Sequence, residues 1–239
     1  RQRQMCIRDR HIWIVSAPSH RFDIAIEADL IEEISRVYGY NNLPTRTPFA
    51  SLKMSKKAET ELSLNRVRDH LVGRGYFEAI TYSFVDTGMQ AALDPEQAPI
   101  ALANPLSAEM SVMRTSIWPG LVKSLIYNVN RQQTQVRLFE SGLCFSQLRN
   151  QTGLSFDNIS QIKKLAGVVC GPRQNENWSN DSQIVDFFDV KGDIESVLAL
   201  TGQAETFEFV AQAHPALHAG QSAVIQKDGE AVGYLGLLD

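Results

Sequence analysis

The chain predicts an α+β fold with an antiparallel core, and three features of its pattern carry that prediction. Several stretches, "QVRLFESGLCFS", "KKLAGVVCG" and "QIVDFFDV", have the composition and alternation of half-buried strands. One segment, "SAVIQKDGEAVGYLGLL", reads as a hairpin turning at Lys227–Gly229. The helical segments fall between strands without the strand–helix–strand regularity of a doubly wound sheet.

Taken in order, "IWIV" (12–15) and "IAI" (24–26) read as short strands separated by a turn-rich link. A helix is expected from Glu27 to Tyr38, stopped by Gly39. "NNLPTRTPFAS" has two prolines and no period, so it reads as a linker and a domain boundary. An amphipathic helix is predicted over Lys56–Arg74, with Leu64, Val67 and Leu71 on one face, and "EAITYSFVD" then reads as a strand. "NPLSAEMSVMRTS" reads as loop and short strand. Ser116 is a plausible N-cap for a helix from Ile117 to about Asn130, with Pro119 in its tolerant first turn. "GDIESVLALTG" is expected to be a short helix. Residues 1–10 lack periodicity and read as a non-native leader, and the linker divides the rest into 11–47 and 48–239.

Composition narrows the function. With 239 residues, 44% of them hydrophobic, the chain can bury a sizeable core. A formal net charge of -4 argues against a broad nucleic-acid-binding surface on this chain alone. Cys6, Cys144 and Cys170 are odd in number and far apart, which suits neither a disulfide framework nor a zinc site and predicts a reduced, cytoplasmic protein. No apolar run reaches the ~18 residues of a membrane span, and the opening residues have no signal-peptide core.

The acids of "RFDIAIEADLIEEISRVYGYNNLP" call for an explanation. On a helical projection, Ile26, Leu30, Ile31, Ile34, Val37 and Tyr38 form an apolar arc, while Asp29, Glu32, Glu33 and Arg36 share the other face, with Asp23 just upstream. Asp29 and Glu33, four apart, repel by roughly 0.2–0.5 kcal/mol on an isolated helix. First-turn acids favoured by the helix dipole, with Glu32 paired to Arg36, give a solvated face. A hard-cation site for Mg²⁺, or a basic partner surface, is the alternative. Spacing leaves both open.

The same residues carry a resemblance. "APSHRFDIAIEADLIEEISRVYGYNNLP" is similar to the end of the small domain preceding the synthetase-like core in the β subunit of bacterial phenylalanine–tRNA ligases. "RGYFEAITYSFV", "LANPLSAEMSVMRTSIWPGLVKSL", "NRQQTQVRLFESGLCF", "FFDVKGDIESVL" and "HPALHAGQSAVI" follow in the family's order, so the resemblance covers about Ile12 to Asp239. It implies that 11–47 are the end of a small α+β domain and that 48–239 are a class II aminoacyl-tRNA synthetase-like antiparallel sheet flanked by helices, cut short at its end. It also implies a magnesium site shared with the α subunit, with Asp23, Asp29, Glu32 and Glu33 as this chain's ligands. The implied setting is a cytoplasmic α2β2 heterotetramer that uses ATP to attach phenylalanine to tRNA, with tRNA bound by the full complex.

The resemblance further implies a core that has lost catalysis and serves as a scaffold, so no catalytic residue is expected. Adenylate formation needs positive groups on the ATP phosphates, and class II enzymes place one arginine two residues before an acid on a strand. Here Arg137 stands three residues before Glu140, on opposite strand faces, and "GYLGLLD" contains no arginine. The competing readings are a self-contained adenylate-forming ligase and a Mg²⁺-dependent phosphoryl-transfer enzyme without a phosphate loop. Docking is expected through apolar surface on the helix–strand unit from Leu64 to Phe84. Arg114 ahead of a helix N-terminus could hold an anion, but pairing with an acid is the plainer reading. Trp118 is an interface anchor or a core residue, and Lys191 is expected in a strand-to-helix link. His214 and His218 are four apart but in a loop, without a third zinc ligand.

Overall fold

The computed structural model describes residues 7–9, 12–51, 61–147, 158–174, 177–179 and 183–239. The chain divides into two compact units, Arg1–Lys56 and Lys57–Asp239.

In the first unit, β1 (Ile7–Asp9) pairs antiparallel with β2 (Ile12–Ile14), and α1 spans Glu27–Tyr38. The expected strand at 24–26 is absent: this stretch turns into the helix, and the Asp29 carboxylate accepts from the backbone N–H of Ala25 at 2.8 Å and of Ile26 at 2.9 Å. Those are donors a helix start leaves unmet. The helix ends at Gly39, whose φ of 96° is costly for any other residue. Its apolar arc is not buried within the described residues: Ile31, Ile34, Val37 and Tyr38 are all exposed.

The second unit is organised around a long hairpin. Strands β6 (Val136–Gln147) and β7 (Ile159–Cys170) pair antiparallel along their whole length, from Val136 opposite Cys170 to Gln147 opposite Ile159. β3 (Phe77–Glu78) joins the other edge of β6 in parallel, giving the order β3-β6-β7. Helices α2 (Leu64–Gly73) and α5 (Phe187–Ala199) lie on one face, and α4 (Trp118–Val129) lies on the other. Strand alternation sorts the side chains. Phe139 and Val169 meet Val67, Leu71, Tyr76 and Val197, while Leu138, Cys144, Ala166 and Val168 meet Ile117 and Leu121. Burial of the Cys144 thiol pushes its pKa up.

Around this core lie a small β4–β5 pair (Phe84–Val85, Val112–Met113) and α3 (Thr87–Leu93). A second sheet of order β10-β9-β8 comprises Glu230–Leu238, Leu217–Lys227 and Phe207–Ala211. The β9–β10 turn falls at Asp228–Gly229, both at positive φ (52° and 83°), the geometry that closes a two-residue hairpin. The mixed α+β class with mostly antiparallel pairing is as the sequence predicts.

Several local expectations are corrected. α2 begins at Leu64, not near Lys56; residues 52–60 lie outside the described set. "EAITYSFVD" is two short strands joined by a bend, because Ala79 turns to the α4 side and its N–H bonds to the Phe139 carbonyl at 2.8 Å. "QIVDFFDV" is not a strand: Asp186 accepts from the N–H of Phe188 and Asp189, Asp189 returns a bond to Asp186, and this capping box starts α5 at Phe187. Lys191 therefore sits within a helix, paired with Glu195. α4 has Ile117 at its cap position, while Ser116 Oγ only accepts from Trp118 N at 3.3 Å. His218 lies in β9 rather than a loop, and strand β8 was not anticipated.

Candidate functional site

The acids of the first unit are already engaged. Arg21 bridges Asp23 and Glu33: its Nη2 is 2.7 Å from Asp23 Oδ2 and 2.9 Å from Glu33 Oε1. Arg36 adds a bond to Glu33 Oε2 at 2.8 Å, so it pairs with Glu33 and not with Glu32. The two guanidiniums, Arg21 above all, hold the Glu33 carboxyl down at about 2, and Arg21 likewise lowers that of Asp23. Asp29 is lowered by the N–H groups of Ala25 and Ile26. Glu32 lies exposed on the same helix.

Four carboxylates are the oxygen-donor chemistry that Mg²⁺ prefers. Their arrangement in this chain does not by itself fit the ion. Arg21 stands between Asp23 and Glu33, and among the described residues no three His, Cys, Asp or Glu side chains are grouped to hold a metal. Arg21 went unread in the sequence, although its place two residues before Asp23 was a usable signal.

In the second unit, an arginine–carboxylate cluster lies against each face of β6. On the α4 face, Glu140 Oε1 lies 2.7 Å from Arg114 Nη1, with both side chains almost fully buried. The cluster is satisfied internally: Thr81 Oγ1 donates to Glu140 Oε2 at 2.6 Å and accepts from Arg114, whose Nε donates to the Leu143 carbonyl at 2.9 Å. Gly142 leaves the space for it, since a Cβ there would stand 2.1 Å from Arg114 Nη2. Next door, Gln90 donates to the Thr115 hydroxyl, which donates to Asp94. Arg114 thus pairs with an acid, and Thr115 braces α3 through Gln90 and Asp94.

On the opposite face, Asp193 of α5 accepts from Arg74 Nε at 2.6 Å, from the Tyr76 hydroxyl at 2.6 Å and from Arg137 Nη1 at 3.3 Å. Burial first, and then the bond to Asp193, pushes the Tyr76 phenol well above its ordinary pKa. Arg137 and Glu140 therefore do point to opposite faces, and each is locked by a different partner. None of Asp193, Arg74 or Tyr76 was singled out from sequence, because their meeting depends on how α5 docks on α2.

The remaining candidates have ordinary partners. Trp118 is half-buried, with His214 edge-on at 5.3 Å between ring centroids, and His214 in turn lies 4.8 Å from Tyr234. His214 Nδ1 accepts from Ala216 N and His218 Nδ1 from Gly220 N. Cys144 and Cys170 are free thiols. No described helix is long and apolar enough to cross a membrane.

Just past β3, in a segment that belongs to no strand, Ile80 and Tyr82 are 91% and 68% exposed, with Val72 of α2 also exposed nearby in sequence. Large apolar side chains left in water mark a surface for burial against a partner.

Comparison with known proteins puts these observations in a family. Residues 43–239 match the model described as "Phenylalanyl tRNA synthetase beta chain CLM domain", and residues 3–40 match "tRNA synthetase B5 domain". A phenylalanine–tRNA ligase beta subunit from Pseudomonas fluorescens is 53% identical over 227 residues, covering 95% of this chain and 28% of the relative. The proteins of that name from Sodalis glossinidius and Aliivibrio fischeri are 53% and 51% identical, covering 95% and 94% of this chain and 28% of each relative. The chain thus spans about 28% of the length of these relatives. A solved pyrrolysyl tRNA synthetase from Desulfitobacterium hafniense aligns at 15% identity with a TM-score of 0.45, over 72% of this chain and 57% of that one, too low to bear weight. On the two family matches, the chain belongs to the phenylalanyl tRNA synthetase beta chain family, with residues 43–239 its CLM domain.

Proposed function

We propose that this chain is a non-catalytic docking part of a phenylalanine–tRNA ligase β subunit. It supports the α subunit, in a cytoplasmic α2β2 assembly, as that subunit uses ATP to attach phenylalanine to tRNA. The observation that carries the reading is the exposed apolar pair Ile80 and Tyr82, just past a two-residue strand paired on one side only. Burying two such side chains against a partner is worth roughly 1.5–3 kcal/mol each. The absence of catalysis is supported by the opposite facing of Arg137 and Glu140, which pair with Asp193 and Arg114 on the two sides of β6 and so cannot converge on one ATP.

Co-purification with a tagged bacterial phenylalanine–tRNA ligase α subunit tests docking. The wild-type chain should be retained and Ile80→Asp/Tyr82→Asp lost; retention of the variant at wild-type yield would overturn the assigned surface.

Magnesium belongs to the same proposal. Asp23, Asp29, Glu32 and Glu33 would supply this chain's share of the oxygen ligands of a site shared with the α subunit, although Arg21 and Arg36 occupy Asp23 and Glu33 in this chain. A weaker complex after chelation, or in Asp29→Ala/Glu33→Ala, is the expected result. Indifference to both returns the acids to a face neutralised by Arg21 and Arg36.

A further inference from the structure

On the side of the sheet away from α4 there is an open cleft of about 820 Å³, lined by Arg74, Arg137 and Arg173, with Phe77 and Phe188 among its walls. Its charge balance is uneven. Three guanidiniums face two carboxylates, Asp189 and Asp193, leaving one positive charge over. Arg74 and Arg137 are both engaged with Asp193. Arg173 is 56% exposed and meets Asp189 through Nε at 2.8 Å, and among the described residues no other side chain holds its two terminal nitrogens. Of the basic residues of α2 and its cap, Arg68 is paired with Glu78 at 2.8 Å and Arg74 with Asp193.

The cleft also exposes aromatic surface. Phe77 and Phe188 are 74% and 73% exposed, and neither belongs to the buried clusters. Phe188 is braced edge-on by Phe187, with centroids 5.5 Å apart and an interplanar angle of 86°, so its ring is oriented. Gly73, Gly75 and Gly192 have nothing within 4 Å of where a Cβ would stand, so the backbone there is open to a flat group.

A guanidinium with free terminal nitrogens recognises phosphate, and an exposed, braced phenyl ring stacks on a base. A carboxylate ligand would satisfy the first feature and leave the second unexplained. We propose that this cleft binds a nucleotide unit, its phosphate on Arg173 and Arg74 and its base on Phe188. That unit is either a free mononucleotide or an unpaired nucleotide of an RNA strand. One surplus positive charge suits a monophosphate or phosphodiester better than a triphosphate.

The test titrates the full chain with AMP, ATP, inorganic phosphate and a short unpaired oligoribonucleotide, reading NMR shifts of labelled phenylalanine and calorimetric heat. AMP should bind saturably, more tightly than ATP or phosphate. Arg173→Glu and Phe188→Ala, both at exposed positions and each with an unchanged melting temperature, should weaken it at least tenfold and about tenfold. An oligoribonucleotide that binds more tightly than AMP makes RNA the source; equal or weaker binding makes it the free nucleotide. Absence of saturable binding, phosphate binding as tightly as AMP, or AMP affinity unmoved by both variants would each overturn the proposal.

Discussion

Glu140 and Asp193 are both buried carboxylates gripped by arginine against the same strand pair, yet their surroundings differ. Glu140 is sealed with Arg114, both under 5% exposed, and every neighbour it needs is protein. Asp193 is as deeply buried, but its partner Arg74 is 40% exposed and the group opens into the cleft. The sealed cluster locks α4, the Thr81 bend and β6 together; the open one joins α2 to α5 and leaves guanidinium nitrogens facing water. The same chemistry on two faces thus gives a structural plug on one side and an accessible charged surface on the other.

The largest effect expected from this contrast is at Arg114. Arg114→Met leaves Glu140 buried without its cation and should cost about 3–5 kcal/mol in chemical denaturation. Arg114→Met/Glu140→Leu should recover most of that loss, since a buried pair replaced by apolar groups is often neutral. Additive losses in the double variant would break the idea that the pair acts as a unit. Glycines sharpen the comparison. Gly142→Ala drives a methyl to 2.1 Å from Arg114 Nη2 and should cost about 1–3 kcal/mol. Gly192→Ala, in open space on α5, should instead stabilise by up to about 1 kcal/mol. On the open face, Asp193→Asn should cost about 1–3 kcal/mol, less than Arg114→Met because Arg74 keeps water as a partner.

The smallest predicted effect lies in the first unit. The Glu33 carboxyl is lowered from its usual 4.5 to about 2 by Arg21 and Arg36, so its contribution is present above pH 4.5. That contribution falls away as pH drops towards about 2. A Glu33 side-chain NMR titration midpoint near 4.5 would show that the Arg21 bridge does not form in solution.

Local signals explain which parts were legible. Helix α1 could be read because an unbroken 3.6-residue period ends at a glycine, and the β9–β10 turn because Asp228–Gly229 tolerates positive φ. The start of α5 was misread because adjacent phenylalanines suggested a strand, while the Asp186–Asp189 capping box settled the helix. The opposite-face placement of Arg137 and Glu140 followed from counting along a strand. Their partners did not, since Asp193 lies 56 residues from Arg137 and Arg114 lies 26 from Glu140, and no local rule links such positions. The acids of α1 and Asp23 were legible as a cluster, but the arginine that bridges Asp23 to Glu33 was visible only once the turn before the helix was folded.

The most direct test of the scaffold reading is ATP–pyrophosphate exchange by the purified chain with phenylalanine and Mg²⁺, alone and with the α subunit. The account predicts no exchange by the chain alone, and exchange by the complex that survives Arg137→Ala. Phenylalanine-dependent exchange by the chain alone, abolished by Arg137→Ala, would contradict it.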